Sequence, residues 1–288
     1  MYLQRLLALL TAVFVCVALG VGLIVLSTDS AGQKTAETAP PPVAEESAQA
    51  SAQASAEPAE PTALPMEELG ARNRVATAIE GAQDYQKYFA RLRDVFPTDY
   101  DEALDFFATR LSEGRNDAVD FYVSESVRRL RQARGVLAAK AEGRALERVF
   151  NVQLDVLKAI AKADKKLCVA FLYGATNQDF QIFAAGRRSL IGEMALAGLD
   201  AIASGQSAKV ERAQPTEADF KALETALTAK KLTKPEIDAL LDGKTPNPPL
   251  DDARMCAAGQ TYFEVLRAMP EAARLRIYGL AVELMART

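Results

Sequence analysis

An uncharged apolar run of 21 residues, Leu6–Leu26, limits what this chain can become more than any other feature. A helix of this length rises far enough to cross the roughly 30 Å hydrocarbon core of a bilayer. The run therefore predicts a transmembrane signal-anchor within residues 1–28. A cleaved signal peptide is the alternative, because Ala18 to Gly20 imitates a cleavage site. Cleavage there would leave an apolar stub, and signal cores span only about 7–15 residues.

The charges on the two flanks of this run predict its direction in the membrane. Arg5 is the only basic residue before the run, and the segment after it is acidic. Basic residues remain on the cytoplasmic side of membrane helices, which places the N-terminus in the cytoplasm and residues 29–288 outside it. The predicted location is the inner (cytoplasmic) membrane, as a single-pass protein.

Small residues recur at every fourth position within the run, at Ala8, Ala12, Cys16 and Gly20. On a helix they form one stripe of small side chains, which permits another helix to approach closely. The functional interpretation is a dimer formed through the membrane helix. The simpler alternative is that an Ala-rich chain contains this spacing by chance.

Residues 29–65 are rich in Ala, Pro, Glu, Ser and Gln and contain no aromatic residue. Such a segment cannot bury enough apolar surface to offset the entropy lost on ordering, so we expect a disordered tether. Residues 1–65 carry two basic and six acidic residues, whereas residues 66–288 carry 32 of each. A neutral domain has no general attraction to polyanions, and nucleic-acid binding is therefore not expected.

Residues 66–288 have apolar side chains at a helical period, and no stretch alternates for long as a strand would. We expect an all-α domain, a multi-helix globular bundle outside the cytoplasm. One apolar helix face is expected to run from Val75 to Phe96 and to end at Pro97.

Capping residues predict where later helices begin, at Thr98, Asn116, Asn177, Thr216 and Thr233. The helix that begins at Asn116 is expected to continue to Ala141. The helix that begins at Asn177 is expected to reach Ser204.

Two of the three cysteines, Cys168 and Cys256, lie in the domain that is predicted to be exported. An oxidising compartment favours a disulfide between them, which would close a loop of 88 residues. Two alternatives remain open. The cysteines could be reduced and buried as small apolar residues, or Cys168 could be a reactive thiol beside Lys165 and Lys166.

Four arginines form a basic cluster in the segment RRLRQAR, at Arg128, Arg129, Arg131 and Arg134. The functional interpretation is an anion site for a lipid headgroup, a cell-wall polymer or an acidic protein patch. The alternative is a solvated helix face whose arginines pair with Glu125 and Glu142.

The absence of His and the presence of only three cysteines exclude several kinds of site. A Ser-His-Asp triad, a Cys-His dyad and a His-based zinc site are impossible, and a Cys-only structural zinc site lacks ligands. Glycine-rich phosphate loops and calcium loops are missing from the sequence as well. We therefore expect no metal and no cofactor, and no catalytic residue is assigned.

Glu125 and Ser126 resemble the catalytic Glu-Ser pair of helical lytic transglycosylases. The aromatic residue and the Gly-Leu-Met-Gln segment that should follow in that family are missing here. A glycosidase acid also needs a raised pKa in an apolar cleft. The acidic residues at 99–105 and 117–120 are interpreted as helix-start acids, which the helix dipole favours, rather than as metal ligands.

Together these features predict a single-pass, membrane-anchored helical domain that contacts other envelope proteins or acts as a scaffold for them. The alternative is a membrane-tethered enzyme or ligand-binding domain that acts on cell-wall or lipid material. Enzymatic activity is the less favoured reading because the familiar motifs are missing. A deep cleft with converging Arg and Glu side chains would support the alternative, and an exposed apolar patch would support protein contacts.

Overall fold

A computed structural model describes residues 66–174 and 177–287 of the chain, with side chains from Leu69 onward. The predicted membrane segment, its small-residue stripe and the predicted tether lie outside these residues. The described residues form twelve α-helices and one 3₁₀ helix and contain no strand, so the all-α prediction is confirmed for this part of the chain. None of the described helices combines the length and the apolar character that crossing a bilayer requires.

The α-helices occupy the following ranges: α1 (Met66–Gly81), α2 (Gln86–Val95), α3 (Pro97–Ser112), α4 (Val119–Arg134), α5 (Gly143–Ala163), α6 (Lys165–Leu172), α7 (Gln178–Ala185), α8 (Arg188–Ala208), α9 (Glu217–Ala229), α10 (Lys234–Asp242), α11 (Asp252–Ala268) and α12 (Glu271–Ala286). The 3₁₀ helix (Gly135–Lys140) lies between α4 and α5 in the chain.

The two longest helices, α5 and α8, pack against each other at the centre of the domain. Helix α8 also contacts α2, α4 and the 3₁₀ helix, whereas α5 contacts α6, α11 and α12. The ring of Phe150 on α5 stacks on Tyr278 of α12, with 3.7 Å between the ring centroids. One continuous apolar core therefore joins the N-terminal helices α1–α4 to the C-terminal helices α9–α12.

Local sequence explains where several helices begin. Asn177 starts α7 by accepting a hydrogen bond from the Phe180 backbone N–H at 3.1 Å. Thr216 and Thr233 start α9 and α10, and in each case an acidic side chain three residues later accepts from the backbone N–H of the capping threonine. The starts predicted at these three positions are confirmed.

The apolar face that was predicted from Val75 to Phe96 belongs to two helices. Helix α1 ends at Gly81, and residues 82–85 form a turn in which the Tyr85 N–H bonds to the Ala82 carbonyl oxygen at 2.9 Å. The Tyr85 side chain is buried and donates its hydroxyl to Asp120 at 2.7 Å. A tertiary contact to α4 therefore fixes a break that the apolar period does not reveal.

The predicted helix from Asn116 to Ala141 is also wrong at both ends. Helix α4 begins at Val119 and stops at Arg134, and the 3₁₀ helix replaces its last part. Arg212 donates to the carbonyl oxygens of Ala139 and Ala141, and so holds the end of this segment from outside.

A close approach of α8 also holds the 3₁₀ helix in place. A Cβ atom at Gly205 would lie 1.8 Å from the carbonyl oxygen of Leu137. Only glycine permits this contact, which fixes the 3₁₀ helix directly against the centre of the domain.

Two further boundaries differ from the sequence-based expectation. The helix expected from Asn177 to Ser204 is divided into α7 and α8 at Gly186 and Arg187, where the Arg187 N–H turns back to the Ala184 carbonyl oxygen at 2.9 Å. The capping position predicted at Thr98 lies two residues too late, because Phe96 precedes the helix and Pro97 occupies the first turn of α3, a position that suits its missing N–H.

Candidate functional site

A cavity of about 70 Å³ lies where α4, the 3₁₀ helix, α5, α8 and α12 meet, with Tyr88 of α2 at one side. Its described lining is apolar apart from Tyr88, Arg131 and Gln153. The partly exposed lining residues, which form its mouth, are Val127, Arg131, Met194, Gly198 and Ala286. A mainly apolar wall with a few polar groups is a composition that ligand pockets share.

Gln153 lies inside this cavity because of its position on α5. It falls on the buried face of the helix, with Val149 and Phe150 before it and Leu154 and Leu157 after it. Only 2% of the residue is exposed, yet its side-chain amide forms no hydrogen bond with any described residue. The amide is not among the fully enclosed side-chain groups, so it is open to the cavity and available to a molecule within it.

Arg131 is half-buried at the mouth, and it is the only charged residue in the described lining. It forms no ion pair with the residues that the structure describes. Burial and the nearby charge of Arg128 lower the pKa of Arg131. The guanidinium nevertheless stays protonated at neutral pH, and its donors are available to a ligand.

Tyr88 supplies the third polar group of the cavity. Its hydroxyl oxygen accepts a hydrogen bond from the Ser126 hydroxyl at 3.2 Å. Burial raises the pKa of Tyr88, so the phenol stays neutral in this apolar setting. Arg131 therefore carries the only formal charge that faces the cavity from the described lining.

The other three arginines of the predicted anion cluster are held by carboxylates. Glu125 accepts from the Arg128 Nε at 2.7 Å and from the Arg129 Nε at 2.8 Å. Arg134 donates to Asp99 at 2.9 Å. The structure thus divides the four arginines among three environments, and Glu142 pairs with none of them. Of the four, only Arg131 lines the cavity described above.

Glu125 does not have the environment of a glycosidase acid. Burial by itself raises the pKa of Glu125, but hydrogen bonds and charge from Arg128 and Arg129 more than reverse this, and its net pKa is lowered. A general acid for glycoside cleavage needs the opposite shift. Glu125 therefore acts as the counter-ion of two arginines.

Cys168 and Cys256 form a disulfide that joins α6 to α11, with 2.04 Å between the sulfur atoms and 5.6 Å between the Cα atoms. Both residues are fully buried. The predicted pairing is confirmed, and the reactive-thiol reading of Cys168 is not, because its sulfur is bonded and inaccessible.

A second cleft is larger but open and polar. It lies between α2, α5 and α8 and contains Arg91, Arg148 and Asp200. The carboxylate of Asp200 accepts from Arg91 at 3.0 Å and from Arg148 at 2.8 Å. Arg91 also pairs with Asp94, and Arg148 also pairs with Glu193, so both arginines have carboxylate partners. No group of three potential metal ligands occurs among the described residues.

Sequence reasoning identified Arg131 only as one of four arginines, and it missed Gln153. The signal for Gln153 was present: a glutamine interrupts an otherwise apolar stripe in VFNVQLDVL. The signal that separates Arg131 from its neighbours is tertiary, because the partner of Arg134 lies 35 residues earlier in the chain.

In comparisons with known proteins, no family model, curated protein or solved structure matches this chain. Its function therefore has to be inferred from the residues of the domain themselves.

Proposed function

We propose that this protein is a membrane-tethered, non-catalytic binding domain outside the cytoplasm, and that its cavity beside α4 receives a small, largely apolar ligand. The cavity itself carries this proposal. Its lining holds a buried amide and a half-buried guanidinium that have no partner among the described residues. Apolar pockets with a few convergent polar groups are where proteins usually bind small molecules.

The proposed compartment is supported by chemistry that is independent of the cavity. A fully buried disulfide is typical of proteins that fold in an oxidising environment, outside the cytoplasm. The apolar run at 6–26 and the single basic residue before it favour the same side of the inner membrane. The tether at 29–65 would then hold the domain away from the bilayer.

A binding role is favoured over catalysis because of the state of the best acid candidate. Glu125 is the carboxylate that most resembles a catalytic residue, and its pKa is lowered by Arg128 and Arg129. It therefore remains an anion at neutral pH and has no proton to give to a leaving group.

Contact with other envelope proteins is a second candidate function. Two large apolar side chains, Tyr173 and Ile182, are 38% and 67% exposed on either side of the α6–α7 connection. Exposed apolar side chains that form a contiguous patch are typical of protein contact sites. Photo-cross-linking from position 182 in intact membranes tests this candidate.

The ligand-binding proposal can be tested with a neutral apolar probe. Full-length protein in lipid nanodiscs is titrated with 4,4,4-trifluorobutan-1-ol, and binding is followed by fluorine NMR. We expect saturable binding that is lost in Ala195→Leu, because the larger side chain fills the cavity. The matched variant Ala257→Leu, at an exposed position of α11, should bind normally. Equal binding by both variants would show that the probe lies elsewhere.

A further inference from the structure

We propose that the ligand of this cavity is a small carboxylate with a short apolar body, which is held by the guanidinium of Arg131 and the side-chain amide of Gln153. This inference rests on the proposed ligand-binding function and adds the chemical class of the ligand. It follows from the polarity, charge and size of the cavity.

The strongest evidence is the amide of Gln153. Gln153 lies in the buried stripe of α5, where a leucine would bring no polar group that needs a partner. The amide lines the cavity instead of turning to a protein partner. A ligand with an oxygen acceptor would satisfy the amide N–H groups and account for its presence.

The charge of the cavity indicates one negative charge on the ligand. Arg131 is the only charged residue of the described lining, and the nearest strong acceptor on the same helix, Glu125, is already bonded to Arg128 and Arg129. The planar guanidinium fork matches a carboxylate, to which it donates two parallel hydrogen bonds. A doubly charged phosphate would leave one charge uncompensated in an apolar setting, which is costly.

The size of the cavity limits the apolar body. Its volume of about 70 Å³ is roughly half that of the ~150 Å³ engineered cavity that admits benzene. A body of about three or four carbon atoms is therefore the best fit, and in so small a space the ligand touches both polar groups. Met194 and Met285 also line the cavity, and their flexible side chains allow some variation in shape.

The test compares a carboxylate with its neutral twin. Full-length protein in lipid nanodiscs is titrated with 4,4,4-trifluorobutanoate and separately with 4,4,4-trifluorobutan-1-ol, and both are followed by fluorine NMR. We expect the carboxylate to bind at least about tenfold more tightly than the alcohol, as charge-assisted hydrogen bonds imply. Arg131→Gln should remove this difference. Arg144→Gln, which removes an exposed arginine that lines the second cleft and not this cavity, should keep it.

A second variant keeps the inference testable if Arg131→Gln folds poorly. Gln153→Leu should raise the thermal midpoint of the ligand-free protein and weaken binding of the carboxylate several-fold. A residue with a purely structural role would lower the thermal midpoint on the same change, and that result would overturn the assignment of Gln153.

The remaining outcomes separate the two proposals. If the alcohol and the carboxylate bind equally and Arg131→Gln has no effect, the carboxylate inference is overturned and the apolar cavity remains a ligand site. If neither probe binds the wild-type protein, both proposals are overturned.

Discussion

The contact between α6 and α11 and the cavity beside α4 use space and polarity in opposite ways. At the first, a disulfide joins the two helices, and Leu172 packs so closely on Gly259 that a Cβ there would lie 2.6 Å from the leucine side chain. At the second, glycine and alanine residues leave space unfilled, and Gln153 has no partner among the described residues.

The difference shows which region is built for stability alone. The α6–α11 contact is held by a covalent bond and by close packing. The cavity, in contrast, leaves space unfilled between helices and places a polar amide in an apolar wall, and the lost packing reduces stability. Features that cost stability within an otherwise well-packed domain are expected at functional sites.

The largest effect is expected on the packed side of this comparison. Replacing both Cys168 and Cys256 by alanine should lower the free energy of unfolding by about 2–5 kcal/mol, because the closed loop no longer restricts the unfolded chain. Denaturant unfolding of wild type and variant measures this directly. Cys16→Ala serves as the control and should leave the midpoint unchanged, and a double variant as stable as wild type would contradict the assigned role of the bond.

A smaller effect is expected where α8 meets the wall of the cavity. Gly205→Ala should destabilise the protein by about 1–3 kcal/mol, because the new methyl group would collide with the Leu137 backbone, which cannot turn away. Gly198→Ala, on the same helix, adds its methyl group to open space and should be neutral or slightly stabilising. Thermal unfolding of both variants tests this prediction, and an equal decrease in stability for the two would contradict it.

The smallest effect concerns paired and unpaired charge on α4. Glu125→Gln should cost about 1 kcal/mol, since Arg128 and Arg129 lose their common carboxylate at a partly exposed site. Arg131→Gln should leave the free energy of unfolding of the ligand-free protein unchanged or slightly higher, because it removes a half-buried charge without a partner. Chemical denaturation of the two variants in the same buffer measures the change in the free energy of unfolding. A decrease for Arg131→Gln as large as that for Glu125→Gln would show that Arg131 is paired.

Much of the fold was predictable because the deciding interactions are local. The capping residues Asn177, Thr216 and Thr233 act within four residues of themselves, and they mark real helix starts. The disulfide was predictable for a different reason, because the domain was predicted to be exported and its two cysteines, both in apolar segments, offer each other one partner.

The breaks between helices could not be predicted in the same way. The turn at 82–85 depends on Tyr85 reaching Asp120, and the 3₁₀ helix depends on Arg212, which lies more than 70 residues further along the chain. The candidate site shows the same limit. Four arginines share one sequence pattern. Arg128 and Arg129 pair with Glu125 on the same helix, but the distant partner of Arg134 and the cavity beside Arg131 are visible only in the folded domain.

The attachment of the 3₁₀ helix has a consequence for the rates of binding. Arg212 donates to the Ala139 carbonyl oxygen at 2.9 Å and to that of Ala141, and the helix it secures contributes Gly135 and Ala138 to the cavity wall. Each such charge-assisted bond stabilises the folded state by about 1.5–3 kcal/mol. The 3₁₀ helix is therefore expected to move away from the cavity only rarely. A ligand that needs the wall to move therefore associates more slowly than the roughly 10⁵–10⁷ M⁻¹s⁻¹ of unobstructed encounters, and once bound it has a long residence time.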